Sequence, residues 1–423
     1  MTAQRVSIST DDPHRNPLGD PADAVEVARE HIVATALTEC AGGRVGLELE
    51  FHLVDLAEPF RRPTWAEVQA VATGLPPMPA GSLVTLEPGG QIELSTPPAP
   101  DLTSSVAALR EDREVLRLGL RAAGFGAAPL GSDLARPVRR INPGARYAAM
   151  ERHFDALGFA GSGNAMMSAT AALQVNLDAG PASGWEQRLG LIRSMVPMLV
   201  AASASSPYLG GESSGWHSMR QGTWQGIDRG RSDPVSEGEP TAAWAFYALS
   251  APVMLVRDGD AFRAVTERVP FASWLQGSAP IDRRPTLDDL DYHLTTLFPP
   301  VRPRGYVEIR CIDALPDRWW PALAALTVTL IDDPVAADLA AELCQPVADD
   351  WEAAARDGMA DPAVRRAVIG CVDLAARRCP APLKPELEAF AELVVGGSSP
   401  SAELRARADL HGPLRVLEEE AHA

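Results

Sequence analysis

Residues 44–55 read RVGLELEFHLVD, an apolar run that predicts a buried strand, yet Glu48 and Glu50 lie at its centre. Glutamate is a poor strand former and costs free energy wherever it is desolvated without a partner. In a strand, residues two apart share a face, so Glu48 and Glu50 point one way and Leu47, Leu49 and Phe51 the other. The habit recurs. In GGQIELSTP (89–97) the same arithmetic gathers Gln91, Glu93 and Ser95 against Ile92 and Leu94. In ALQVNLD (172–178) it gathers Gln174, Asn176 and Asp178, and in YVEIRCID (306–313) it gathers Glu308 and Arg310.

Taken singly, ELE also reads as a half-exposed strand with its polar side in water. The collected polar side chains are instead nearly all oxygen donors or their counter-charge. On one shared sheet they would crowd and resist ionisation. Divalent cations remove that conflict. Carboxylate and amide oxygens suit hard Mg²⁺ or Mn²⁺, whereas the histidines and cysteines lack the spacing zinc requires. Glu87, six residues before Glu93 across a Pro-Gly-Gly turn, is placed to reach the same cavity from a loop. His52 follows the glutamate pair on the same face; a structural hydrogen bond is expected for it, and no catalytic role for His153 or His217.

The chain has 423 residues and a net charge of −18, which argues against a nucleic-acid surface. No apolar run approaches the ~20 residues of a membrane span, and the N-terminus lacks a signal-peptide pattern. The five cysteines form no C-x-x-C pair and suit reduced thiols in a cytosol, so a cytoplasmic protein is expected. Lys384 is the sole lysine, which excludes a G-K-[ST] phosphate loop. Phosphate must then be met by arginine, metal or backbone N–H groups.

Residues 1–22 are polar and rich in turn formers and read as a flexible tail; for 23–423 length alone suggests two or three domains, with one large unit also open. Helices are predicted over 24–39 and over 101–126, with Asp101 as N-cap. A further helix, 185–205, contains Pro197, which predicts a kink or break. Residues 210–240 read as loop, and from about 320 onward the pattern is mainly helical. Strands at irregular intervals among helices of varied length do not alternate as a doubly wound sheet would. They predict an α+β fold on an antiparallel sheet.

Seven stretches then carry a resemblance: GLELEFHLVD, GGQIELSTPP, ARYAAMERHF, NAMMSATAALQVNLD, SSPYLGG, HSMRQGTWQGIDRGR and YVEIRCIDA, in this order between Gly46 and Ala314. The chain resembles plant-like glutamate–cysteine ligases, within the glutamine synthetase superfamily of carboxylate–amine ligases. It is similar to the actinobacterial enzymes that supply γ-glutamylcysteine for ergothioneine synthesis. The resemblance implies a glutamine-synthetase-like antiparallel sheet forming a funnel-shaped active site flanked by helices. It implies that Glu48, Glu50, Glu87, Glu93, Gln174 and Glu308 hold two or three Mg²⁺ ions, with Mn²⁺ as a substitute. Gln174 stands where some relatives have histidine. Arg310 and Arg220 are implied as catalytic, Asn176, Arg229, Arg231 and Arg310 as ATP-binding, and Arg146, Tyr147, Arg220 and Trp224 as substrate-binding.

The implied reaction joins the γ-carboxylate of L-glutamate to the amine of L-cysteine. The carboxylate attacks the γ-phosphorus of ATP, and the resulting γ-glutamyl phosphate is then attacked by the amine. Metal would neutralise charge as the phosphoryl group moves, with Arg310 supplying fixed positive charge. Two rival readings keep the fold: a ligase joining glutamate to a different amine, and a non-catalytic ATP- or metal-binding relative. Pocket loops decide the first, and the complete carboxylate and arginine set argues against the second.

Overall fold

The computed structural model describes Leu18 and residues 23–423. The expected tail over 1–22 therefore lies outside the described residues apart from Leu18, which is buried. The opening run forms strand β1, Val45–Asp55, at the middle of a seven-stranded sheet. Around it lie β2 (Leu83–Leu86), β3 (Ile92–Ser95), β4 (Phe125–Ala128) and β5 (Ala172–Leu177), with two late strands, Val301–Pro303 and Val307–Asp313. Across the sheet the order is Val301–Pro303, Val307–Asp313, β5, β1, β3 and β2; every pairing is antiparallel. β4 pairs with the far end of β1, from His52 to Asp55.

The alternation sorts the two faces as expected. Leu47, Leu49 and Phe51 are fully buried in the main core, joined there by Ile92, Leu94, Leu173, Val175, Val307 and Ile309. That core runs from Leu18 to Val394 and is closed by the helices Leu102–Ala122 and Trp320–Asp332, which pack on the sheet. Asp101 caps the first of these, its carboxylate accepting the Ser104 N–H at 2.8 Å. From Trp320 onward the chain is helical almost to its end. The sheet's other face carries the polar residues.

One strand departs from strict alternation. The register between Val307–Asp313 and β5 shifts between Ile309 and Ile312, so Arg310 and Cys311 together occupy the space opposite Gln174. Such a bulge adds a residue and re-aims the side chains after it. Ile312 enters the apolar core, where unbroken alternation would have set it among the polar groups.

Other expectations are corrected. The helix expected to reach Glu39 ends at Ala36. There the backbone of Gly305 takes over, its N–H donating to the Ala36 carbonyl and its own carbonyl accepting the Thr38 N–H. The helix Trp185–Ser203 runs unbroken through Pro197, because burial of its whole second half holds it together. The stretch 210–240 contains two short helices, Met219–Gln225 and Arg229–Ser232, capped by Ser218 and Asp228. Free thiols are present as expected, but Cys344 and Cys371 meet in the core at 3.6 Å.

Candidate active site

The register brings the polar residues together. Glu48 lies opposite Gln174 and Glu50 opposite Glu93, while Glu308 lies opposite Asn176. Glu87 arrives from the turn between β2 and β3. That turn is held by Glu87 N–H donating to the Gln91 carbonyl, and it lies against backbone at Gly89, where a Cβ would fall 2.1 Å from the Ser168 carbonyl oxygen. These groups line a cavity of about 310 Å³ that also includes Arg146, Tyr147, Arg220, Trp224 and Arg310.

The cavity is electrostatically divided. On the β1–β3 side, Glu48, Glu50, Glu87 and Glu93 face one another with few counter-charges. Burial, then the charges of Glu93 and Glu308, raises Glu48 to about 8. Burial and the Glu87 charge raise Glu50 to about 7. Burial and the charges of Glu50 and Glu87 raise Glu93 to about 7, and burial raises Glu87 as well. On the other side the same burial acts on Glu308, but the guanidiniums of Arg310 and Arg302 outweigh it and hold that carboxylate at about 2. Arg302 donates to it at 2.6 and 3.1 Å, and Arg310 lies 3.2 Å away.

A chain of hydrogen bonds joins the two halves. Arg310 Nη1 donates to Gln174 Oε1 at 2.5 Å, and Gln174 Nε2 donates to Glu48 Oε2 at 3.0 Å. Asn176 Nδ2 donates to the other oxygen of Glu48 at 2.7 Å. Glu50 Oε2 accepts the Ala172 N–H at 2.7 Å, and Glu93 Oε2 accepts the Thr85 hydroxyl.

The donor set suits hard cations. Among the described residues no three His, Cys, Asp or Glu side chains form a ready-made cage. Mg²⁺ seldom needs one, since it keeps several waters and is held by one or two carboxylates plus substrate phosphates. Four mutually repelling carboxylates with all-oxygen donors fit that role. Glu308 and Gln174, expected alongside them, differ in placement. Glu308 is clamped by arginine, and the Gln174 oxygen is already occupied by Arg310.

The remaining expected residues divide as well. Arg146, Tyr147, Arg220 and Trp224 line the cavity; Arg146 stacks on Tyr292 at 5.1 Å, and Trp224 lies against Phe298 at 5.2 Å. Asn176 acts on Glu48 and is absent from the lining. Arg229 and Arg231 do not reach it either. Arg229 is exposed and pairs with Asp233 at 3.4 Å, while the buried Arg231 donates to the carbonyls of Thr296 and Pro252. Both lie on the short Asp228-capped helix, and neither lines the cavity. His52 and His153 bond the backbone carbonyls of Leu130 and Val265, in keeping with structural roles.

Sequence reasoning missed several lining residues: Arg302 and Arg304, the methionines Met150, Met166 and Met167, and Phe298. Arg302 lies directly opposite Glu308 on the edge strand. The two-residue spacing of Arg302 and Arg304 in VRPRGY was the available signal.

The raised carboxylates make a prediction for metal removal. Their folded-state values lie above the ordinary 4.5. Between that value and about 8 the folded protein therefore holds more protons than the unfolded chain. Stability without metal must fall as pH rises through this window. Adding MgCl₂ should raise the melting temperature by several degrees near pH 8.5 and by much less near pH 6. An equal shift at both values would remove the carboxylates from the metal site.

Carboxylates on adjoining strands of an antiparallel sheet, faced by arginines, thus line one cavity. The chain belongs to the family described as Glutamate-cysteine ligase family 2 (GCS2), whose profile matches residues 44–420. It is 48% identical over 400 residues to glutamate–cysteine ligase EgtA of Mycolicibacterium smegmatis, covering 94% of each chain. It is also 48% identical over 380 residues to EgtA of Mycobacterium tuberculosis, covering 88% of each. A crystal structure of glutamate–cysteine ligase (gshA) from Francisella tularensis in complex with AMP shares the fold, with a TM-score of 0.56 at 13% identity. That match covers 91% of this chain and 88% of the other.

Proposed function

We propose that the protein joins the γ-carboxylate of L-glutamate to the amine of L-cysteine, with ATP as co-substrate, giving γ-glutamylcysteine for ergothioneine synthesis. The observation that carries this reading is the 48% identity to EgtA across 94% of both chains. The cavity supports it with a divided charge pattern suited to an anionic nucleotide and an amino acid. Residues 23–423 act in this reading as one catalytic unit, in the cytoplasm.

Glu48, Glu50, Glu87 and Glu93 would hold Mg²⁺. Bound there, the metal supplies charge neutralisation for the triphosphate oxygens. Arg310, fixed by Gln174 and Glu308, presents a static positive charge to the phosphoryl group as the glutamate carboxylate attacks it. Arg220 stands beside Arg310, where it can bind the oxygens of the acyl phosphate, and Arg146 is available for a substrate carboxylate. Burial and the Glu87 charge raise the Tyr147 phenol, keeping it a proton donor to substrate oxygen. Met150, Met166 and Met167 form a soft apolar wall suited to a thiol side chain.

Purified protein given Mg-ATP and L-glutamate should release ADP only when L-cysteine is added. Release with a different amine in place of cysteine, or with no amine dependence at all, would contradict the reading.

A further inference from the structure

The last residue of the Val307–Asp313 strand is buried beneath the cavity and takes no part in the scheme above. Asp313 is completely enclosed, and every contact it makes holds its carboxylate in one orientation. Ser206 Oγ and the Ser205 N–H donate to Oδ2 at 2.7 and 3.1 Å, and Ser218 Oγ donates to Oδ1 at 2.9 Å. Its own N–H donates to Ser203 Oγ at 3.3 Å. Behind it stands Gly131, where a Cβ would fall 2.5 Å from Oδ2. Burial raises the Asp313 carboxyl above its ordinary value, and the Arg220 charge and these donors work against that rise while fixing its orientation.

That fixed charge faces one partner. Arg220 Nη1 lies 3.8 Å from Asp313 Oδ1 and is itself buried with no hydrogen-bond acceptor. The rest of Arg220 is anchored: its N–H donates to Ser206 Oγ at 3.0 Å and Nη2 to the Arg310 carbonyl at 2.9 Å. Two guanidiniums, Arg220 and Arg310, thus stand side by side in the cavity wall and repel each other. Glu308 is the counter-charge for Arg310; Asp313 is the one placed behind Arg220. Burial works against both members of the Asp313–Arg220 pair, so each depends on the other for its charge.

We propose that Asp313 is a positioning residue for the ligase reaction: with the hydroxyls of Ser206 and Ser218, it holds the Arg220 guanidinium charged and aimed at the transferring phosphoryl group. The proposal rests on the ligase reading of the cavity. The bulge at Arg310 and Cys311 is what makes the arrangement possible, since the shifted register brings Asp313 opposite Ala172, whose N–H binds Glu50. One backbone irregularity therefore sets both arginines.

A double-mutant cycle tests it. Asp313→Asn should lower kcat for cysteine-dependent ADP release about 10- to 100-fold, with KM for cysteine changed by less than about threefold. In an Arg220→Ala background the same substitution should change kcat by less than about twofold. Added guanidinium should restore part of the Arg220→Ala activity while Asp313 is intact, and none in the double variant. Should Asp313→Asn fail to fold, Ser218→Ala leaves the charge but removes one donor together with the cap of the helix carrying Arg220; its loss, about three- to tenfold, should shrink clearly without Arg220. Equal losses from Asp313→Asn in both backgrounds, or none in the wild type, would overturn the proposal. If Arg220→Ala alone leaves ADP release unchanged, the role given to Arg220 in the cavity fails first.

Discussion

Glu48→Gln is expected to lower turnover about a thousandfold or more while leaving the fold intact. Glu48 holds two amides at once, accepting from Gln174 and Asn176, and Gln174 in turn fixes Arg310. A glutamine there sets its NH2 group against the amide of Gln174 or Asn176, so one of those amides must flip. The negative charge proposed to bind metal is lost in the same step. The fold should survive because Leu47 and Leu49, on the opposite face of β1, keep their burial. The sign of the stability change is itself a test. Glu48 is raised to about 8 by burial and by neighbouring carboxylates, so its removal relieves repulsion in metal-free protein. Near pH 8.5 without Mg²⁺ the variant should melt at or above the wild-type temperature. An inactive variant that also melts much lower would mean that Glu48 supports the fold and not the chemistry.

The second large effect belongs to Arg310. Arg310→Ala should reduce phosphoryl transfer from ATP about a thousandfold, the range found when a charge-stabilising arginine is removed from such a step. Lysine should recover little, because an ammonium taking the place of Nη1 between Gln174 Oε1 and Glu308 Oε2 leaves no second nitrogen to meet phosphate oxygens. In Arg310→Ala the Glu308 carboxylate loses the largest charge that opposes its burial, and Arg302 remains bonded to it. Single-turnover measurement of ADP formation checks this directly. Near-normal transfer in Arg310→Ala would take the arginine out of the reaction.

Much of this was legible in the sequence for a specific reason. A strand's two-residue period is a local signal, and glutamate on the face opposite a run of leucines is an unusual form of it. Glu48, Glu50, Glu93 and Glu308 could therefore be assigned to one face before any pairing was known, and the observed registers place Glu50 opposite Glu93. What escaped depends on backbone geometry and tertiary context. The bulge at Arg310 and Cys311 is a dihedral event; its trace in the sequence is the adjacent apolar pair Cys311 and Ile312 in an otherwise alternating strand. Asp313 was invisible for the same reason, because its partners Ser206 and Ser218 come from separate segments that nothing local connects to it. Arg229 and Arg231 look like phosphate ligands in a loop. The short helix begun at Asp228 turns one outward to Asp233 and buries the other against backbone carbonyls. Glu308 was correctly assigned to the cavity face, but the arginine clamp around it comes from the edge strand, whose pairing the sequence does not declare.

The central claim is that carboxylates from separate strands gather divalent cations around the nucleotide. Crystals grown with Mn²⁺ and a non-hydrolysable ATP analogue test it through their anomalous signal. Peaks should lie within about 2.3 Å of carboxylate oxygens of Glu48, Glu50 and Glu93, bridging to phosphate oxygens. Nucleotide bound in the cavity with no peak touching any of these side chains would contradict the account.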